Sequence, residues 1–350
     1  MDTNTPEEGL FDAIPKGDNK VSGETMGADT EIRNRYKNHF KEINRELDNA
    51  LSSRVSLIQD IGNYSLLGYG KRLRPLLFVL SCRLCNYDGE DIYRLSTIFE
   101  YIHTASLLHD DVLDNAEIRR NRPSANNIWG VHPAILEGDF LYCKSSLIAI
   151  GSNNVLFLKR ISEASTRMVE GQVLELIHTK DWDIDKEEYF EIITAKTAVL
   201  ISAACTCGAV ISGAEKDAED SLAKFGMNLG IAFQLMDDIL DYTSSEEVFG
   251  KPVGKDLREG KVTLPLIYTV SGLEESEKER IKDLFSSGSP VEEDYINLVK
   301  LVRAKGAIER IRHEAQSYVN EALKSISVFP DSPAKDDLLE LSQYIIDREY

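Results

Sequence analysis

Two acidic runs, Asp110-Asp111-Val112-Leu113-Asp114 and Asp237-Asp238-Ile239-Leu240-Asp241, repeat one pattern of aspartates at i, i+1 and i+4. On a helix this spacing sets the first and third about 40° apart on one face, with the second at its edge. Carboxylates this close repel one another unless a cation sits among them. Oxygen donors with no Cys or His beside them suit Mg2+, which keeps several waters and completes its shell with substrate phosphates. Asp110, Asp111, Asp114, Asp237, Asp238 and Asp241 are therefore candidate magnesium ligands. Each run follows an apolar stretch, residues 101–108 or 229–236, so a solvated acidic face accounts for them poorly. Two such helices facing each other would form a metal-lined mouth able to grip a diphosphate.

A site for a polyanion also needs fixed positive charge, and the chain supplies it in compact groups. Lys71 and Arg74 flank Arg72 and Leu73 and share a face if a helix follows, as Pro75 near a helix start permits. His103 lies two turns before Asp110 and about 20° off in azimuth, so it can project toward the same ligand. Arg119, Arg120 and Arg122 follow the first acidic run closely enough to clamp phosphates with bidentate forks. Lys196-Thr197, Gln234, Lys251, Lys255-Asp256 and Lys261 punctuate the segments around the second run.

Taken in order, GKRLRP at 70–75, HTASLLHDDVLDNAEIRRNRPS at 103–124, GDF at 138–140, KTA at 196–198, FQLMDDILD at 233–241 and GKPVGKDLREGKVTLP at 250–265 resemble the trans-isoprenyl diphosphate synthases, or polyprenyl synthetases. The resemblance runs from about residue 30 to the end, where YIIDREY is similar to the tail of longer-chain members. Asn121 departs from the pattern, since the family usually has Gly there. The resemblance implies head-to-tail condensation of isopentenyl diphosphate with an allylic diphosphate, with about three Mg2+ per active site and a homodimeric assembly. It implies that Lys71, Arg74, His103 and Arg120 hold the isopentenyl diphosphate. Arg119, Lys196, Thr197, Gln234 and Lys251, with Lys261, would hold the allylic diphosphate, and Asp110, Asp111, Asp114, Asp237, Lys196 and Gln234 would act in catalysis. The resemblance also implies that the released diphosphate would take the proton, so that no side-chain base is needed.

Product length should follow the depth of an apolar tunnel below the first acidic run. Ala105 and Ser106 stand where shorter-chain relatives carry bulky aromatics, so a medium or long product is expected, such as a hexa- to nonaprenyl diphosphate for a quinone tail. Phe99 lies three turns down, about 16 Å along the axis, and is a candidate floor. Ala149 on a facing helix would leave the way open. Rival readings are a shorter-chain farnesyl or geranylgeranyl diphosphate synthase and a class I terpene cyclase. A cyclase needs no isopentenyl site, which GKRLRP and His103 argue for.

The elements that must position these residues are helical almost throughout. From residue 30 on, apolar positions recur at three and four, without alternating runs between hairpin signals. The expectation is an all-α, single-domain bundle of about ten or more helices around a central apolar cavity, spanning 29–350. Residues 1–28 are acidic, scattered with Gly and Pro and without apolar period, and are expected to be disordered. They lack the features of a signal or transit peptide. The uncharged stretch 197–214 is rich in Ala, Ser, Thr, Cys and Gly, which suits close helix packing better than membrane insertion. Peripheral membrane contact for product release is the only membrane contact expected. With 40 basic and 59 acidic residues the net charge is −19, which argues against nucleic acid as a partner. Five cysteines without a secretory signal fit reduced thiols in the cytoplasm. Cys82 and Cys85, a CxxC pair in an apolar stretch, read as packing residues.

Overall fold

The structure, a computed structural model, describes residues 32, 34–67, 70–243, 253–286 and 288–348. The disordered reading of 1–28 and the Lys251 assignment lie outside these residues. In chain order the helices are α1 (Lys37–Ala50), α2 (Ser56–Gly62), α3 (Leu73–Leu84), α4 (Ile92–Leu113), α5 (Ala125–Trp129), α6 (Val131–Ile150), α7 (Val155–Ile177), α8 (Lys186–Ile193), α9 (Val199–Ile211) and α10 (Lys216–Thr243). They are followed by α11 (Lys255–Arg258), α12 (Leu264–Ser271), α13 (Glu275–Ser286), α14 (Glu292–Ala304), α15 (Ala307–Ser325) and α16 (Pro333–Asp347). The all-α expectation stands, with one addition. Two-residue strands β1 (Ile118–Arg119) and β2 (Arg122–Pro123) pair antiparallel just after the first acidic run.

The turn of that ribbon is Arg120-Asn121, with φ of 51° and 60°. Two-residue hairpins favour positive φ at both central positions because that twist matches the strands. Asn tolerates the left-handed region better than most residues, so Asn121 serves where Gly would be the usual choice. Arg120 pays a steric penalty there, the kind of local strain often found beside functional sites.

Helix α9 is the buried centre. It packs against α10, α3 and α7, while α4 lies along α6 and α10 along α15. The continuous helical segment Lys186–Ile211 is long and apolar enough to cross a membrane, yet 78% of its apolar window is buried inside the protein. The small side chains of 197–214 thus serve core packing. Between α8 and α9 the helix widens into a π-helical turn, Thr194–Ala198, which carries Lys196 and Thr197. Such turns are uncommon and cluster at functional sites. Glycines on both flanking helices admit it: a Cβ at Gly171 would lie 2.5 Å from Lys196 N, and one at Gly230 would lie 2.6 Å from Ala198 Cα.

Both acidic runs fall at helix C-termini. Asp110 and Asp111 are in the last turn of α4, and Asp114 is its C-cap. Asp237, Asp238 and Asp241 occupy the closing turns of α10. Carbonyls pointing out of a helix C-terminus add negative potential, so these ends disfavour carboxylates and favour cations. All five cysteines are unpaired, and burial pushes the Cys82 thiol well up and the Cys85 thiol up to about 11.

Candidate active site

One cavity of about 600 Å³ collects side chains from both acidic helices. Asp110 reaches it from α4, and Asp237, Gln234 and Phe233 reach it from α10. Lys196 and Thr197 reach it from the π-helical turn. Arg74, His103, Arg119 and Arg120 line one end, and Ser106 with Tyr142, Met168, Val169, Val173 and Leu176 forms an apolar stretch of wall. Ten of the residues singled out by motif therefore share one space.

The carboxylates of the first run split as their azimuths require. Asp110 is buried, and Lys196 Nζ stands 3.5 Å from its Oδ2. Burial raises its carboxyl pKa, opposed by Lys196. Asp114 Oδ2 accepts from Lys261 Nζ at 3.1 Å. Asp111, on the helix edge, instead accepts from Arg119 Nε at 2.6 Å. In the second run Asp237 Oδ1 pairs with Arg348 Nη2 at 2.6 Å. Asp241 accepts the backbone N–H groups of Lys255 (3.0 Å) and Asp256 (3.1 Å), tying the segment that bears Lys261 to the end of α10. Asp238 is turned inward and accepts from Tyr189 and Gln234. Burial beside Asp241 and Asp238 pushes the Asp256 carboxyl well above the ordinary carboxylate range.

Lys196 and Lys261 are held by a residue the motifs did not flag. Glu175 Oε2 accepts from Lys196 Nζ at 2.5 Å and lies 3.9 Å from Lys261 Nζ. Burial would raise the Glu175 carboxyl, but the two ammonium groups bring it below its ordinary value. Burial alone would lower the Lys261 ammonium, yet Glu175, Asp256, Glu259 and Asp114 together drive it well up, so it stays charged.

The basic end of the cavity is organised by a buried ion pair. Arg72, the left-handed residue before α3 (φ 50°), donates to Glu100 Oε1 at 2.6 Å and to Asn44 Oδ1 at 3.0 Å, and also bonds Leu66 O. Because the helix starts only at Leu73, Lys71 and Arg74 do not share a face as the spacing suggested. Arg74 is buried on the cavity, whereas Lys71 is exposed and donates to Tyr344 of α16 at 3.1 Å. Burial, then the charges of Arg74, Arg120, Arg119 and Arg72, keep the His103 imidazole well below its ordinary pKa and so neutral near pH 7.

Residues 55–302 match the family described as polyprenyl synthetase. The chain belongs to the polyprenyl synthetase family. It is 35% identical over 313 residues to the octaprenyl diphosphate synthase of Escherichia coli, a match covering 88% of this chain and 95% of the relative. It is 32% identical to the all-trans-nonaprenyl-diphosphate synthase (geranyl-diphosphate specific) of Rhodobacter capsulatus, over 88% and 94% of the two chains. The structure of a polyprenyl synthase from Caulobacter crescentus complexed with calcium and isoprenyl diphosphate superposes with a TM-score of 0.88 at 33% identity, covering 94% of this chain and all of that one. This polyprenyl synthetase is thus a prenyltransferase, a trans-prenyl diphosphate synthase of the isoprenoid synthase fold, in a family that uses a divalent metal.

Not every candidate lies on the main cavity of the synthase. Asp238 and Lys261 line a neighbouring cavity of about 160 Å³, shared with Glu175, Tyr189 and Asp256. Ala105, Phe99 and Ala149 are fully buried away from the cavity wall, Phe99 against Phe78 with ring centroids 5.3 Å apart. Glu100, Glu175, Tyr189 and Arg348 were not identified from motif order. Arg348 alone had a signal, in the YIIDREY tail.

Proposed function

We propose that this synthase condenses isopentenyl diphosphate with an allylic diphosphate, Mg2+-dependently and head to tail, to an all-trans medium- or long-chain polyprenyl diphosphate. The observation that carries the reading is one cavity with three kinds of wall: acidic helix ends, a neutral imidazole among arginines, and an apolar stretch. The acidic wall fits magnesium. Its oxygens, from Asp110 and Asp237, are hard donors, and these two with Asp114 one turn on from Asp110 already hold cationic nitrogens at 2.6–3.5 Å. Among the described residues no three acidic, Cys or His groups gather into a ready-made ligand set, so diphosphate oxygens and water are the natural remaining partners. Asp110, Asp114 and Asp237, with Asp111, Asp238 and Asp241 beside them, would hold the ions. Bound there, magnesium would supply Lewis-acid neutralisation of the leaving diphosphate, worth several kcal/mol.

Lys196, Thr197, Gln234, Lys261 and Arg119 hold the allylic diphosphate from the protein side, and Lys251, outside the described residues, joins them on its motif alone. Each preorganised donor is worth ~3 kcal/mol once charge develops on it. Arg74, Arg120, Lys71 and neutral His103 hold the isopentenyl diphosphate so that its double bond meets C1 of the allylic cation. The proton released from the adduct goes to the departed diphosphate. Ser106 leaves the adjacent wall open to a growing chain, and the octaprenyl and nonaprenyl relatives support a long product.

Val169, Val173 and Leu176 line the cavity yet are at least half exposed, and Leu136, Leu147 and Val155 extend this apolar face over α6 and α7. A second copy covering it would make the homodimer and close the cavity, as sedimentation would show. Peripheral contact with a membrane would then take up the product. A cytoplasmic setting accords with the five unpaired thiols. The test is chromatography of products from labelled isopentenyl diphosphate, Mg2+ and several allylic primers. All-trans chains of about six to nine isoprene units are expected, and hydrocarbon release from an allylic diphosphate alone would reject the assignment.

A further inference from the structure

The middle carboxylate of the second acidic run is the start of a relay. Asp238 is only 2% exposed, and both of its oxygens are engaged by side chains. Oδ2 accepts from the Tyr189 hydroxyl at 2.6 Å, across from α8. Oδ1 accepts from Gln234 Nε2 at 2.8 Å, one turn back along α10. Gln234 Oε1 in turn accepts from Thr197 Oγ1 at 2.9 Å, on the π-helical turn. Gln234 and Thr197 line the main cavity as well as the smaller one, whereas Tyr189 and Asp238 line only the smaller.

This chain of bonds fixes which way round the Gln234 amide sits. In its ionised form, which burial disfavours by raising the carboxyl to about 7, Asp238 only accepts, so it draws the nitrogen toward itself and leaves the amide oxygen to Thr197. Nε2 carries a second N–H, on a residue that lines the main cavity, where it is a donor for an anionic oxygen. The inverted amide would set its oxygen against Asp238 and carry that donor away. Asp238 can enforce the choice only while it is held still, and the bond from Tyr189 holds it. Without the phenol, Oδ2 is left with only water from the small cavity as a donor, a partner that does not fix its direction. The carboxylate then turns, and the amide loses its constraint. The ring of Tyr189 packs edge-on against Phe190 with centroids 5.5 Å apart, a contact that Phe would keep.

We propose that Tyr189 is a positioning residue for the allylic diphosphate, acting through Asp238 on the amide of Gln234. The inference rests on the synthase reading above. The test is a double-mutant cycle of Tyr189→Phe and Gln234→Ala, read as kcat/KM for the allylic diphosphate, KM for isopentenyl diphosphate, and calorimetric binding of inorganic diphosphate with Mg2+. Tyr189→Phe should lower the allylic kcat/KM and weaken diphosphate binding about tenfold each, while the isopentenyl KM moves less than twofold. In the Gln234→Ala background the same substitution should change diphosphate binding less than twofold. A merely structural tyrosine would shift both substrates together and give the same factor in both backgrounds, and either result overturns the proposal. A wild-type protein that binds diphosphate but makes no prenyl chain would reject the synthase reading. The calorimetric cycle would still decide the role of Tyr189.

Discussion

Glu137 on α6 should make the synthase lose stability as pH rises, and replacing it by Gln should remove the loss. The side chain is 1% exposed, and both carboxylate oxygens are buried without a hydrogen-bond partner. The backbone presses on it from α2, where a Cβ at Gly62 would come within 2.9 Å of Oε1. Burial pushes its carboxyl up to about 8 from an ordinary 4.5. The folded state therefore keeps a proton that the unfolded chain releases. The penalty is absent below the unfolded pKa, grows through the interval, and is complete above the folded one. Within it each pH unit costs about 1.4 kcal/mol, so the loss from pH 6 to 9 is roughly 2–3 kcal/mol. For about 300 folded residues that is a melting shift of about 4 °C. The neighbouring Tyr101 hydroxyl donates to Leu47 O at 2.8 Å, and burial holds its pKa far above this window. Glu137→Gln carries a constant cost for an unpaired amide but no titration. Calorimetric melts of both proteins at pH 6, 7, 8 and 9 should show the variant gaining about 4 °C on the wild type. Parallel curves would refute the reasoning.

Other outcomes follow from the site. Asp110→Ala and Asp237→Ala should each cut kcat at least 100-fold with an unchanged circular dichroism spectrum, and near-normal rates in both would remove the metal argument. Arg348→Gln frees Asp237 of its cation and should tighten Mg2+ binding several-fold by calorimetry without substrate; an unaltered affinity would show that the ion pair does not compete. Ser106→Phe, on the cavity wall, should shorten the products seen by chromatography. Ala105→Phe, in the packed layer, should instead cost about 1–3 kcal/mol in a denaturation curve.

What the chain announces and what it conceals have physical causes. Asp110 and Asp114 sharing one face, with Asp111 at the edge, follows from helix geometry alone, and the helical period fixes the fold class. The π-helical turn under Lys196 has no sequence signal, because it depends on the close approach of α7 and α10 permitted by Gly171 and Gly230. Glu175, Glu100 and Tyr189 act on partners 21 to 49 positions away, or across helices, and such pairings are invisible to local pattern. Ala105 and Ser106 are neighbours in sequence, but one helical step of about 100° puts only the second on the cavity. Lys71 misled because Arg72 leaves the helical region just where a first turn was expected.

Lys196, Lys261, Arg119 and Arg348, resting on the helix-end aspartates, are counterions built into the chain itself. A metal taking these aspartates would have to displace a tethered ammonium or guanidinium, so its binding would be an exchange that frees the displaced groups for incoming anions. Magnesium alone brings nothing for them to bind, whereas magnesium chelated by a diphosphate does. On the proposed reading, this charge pattern would favour metal and diphosphate entering together as one neutralised parcel.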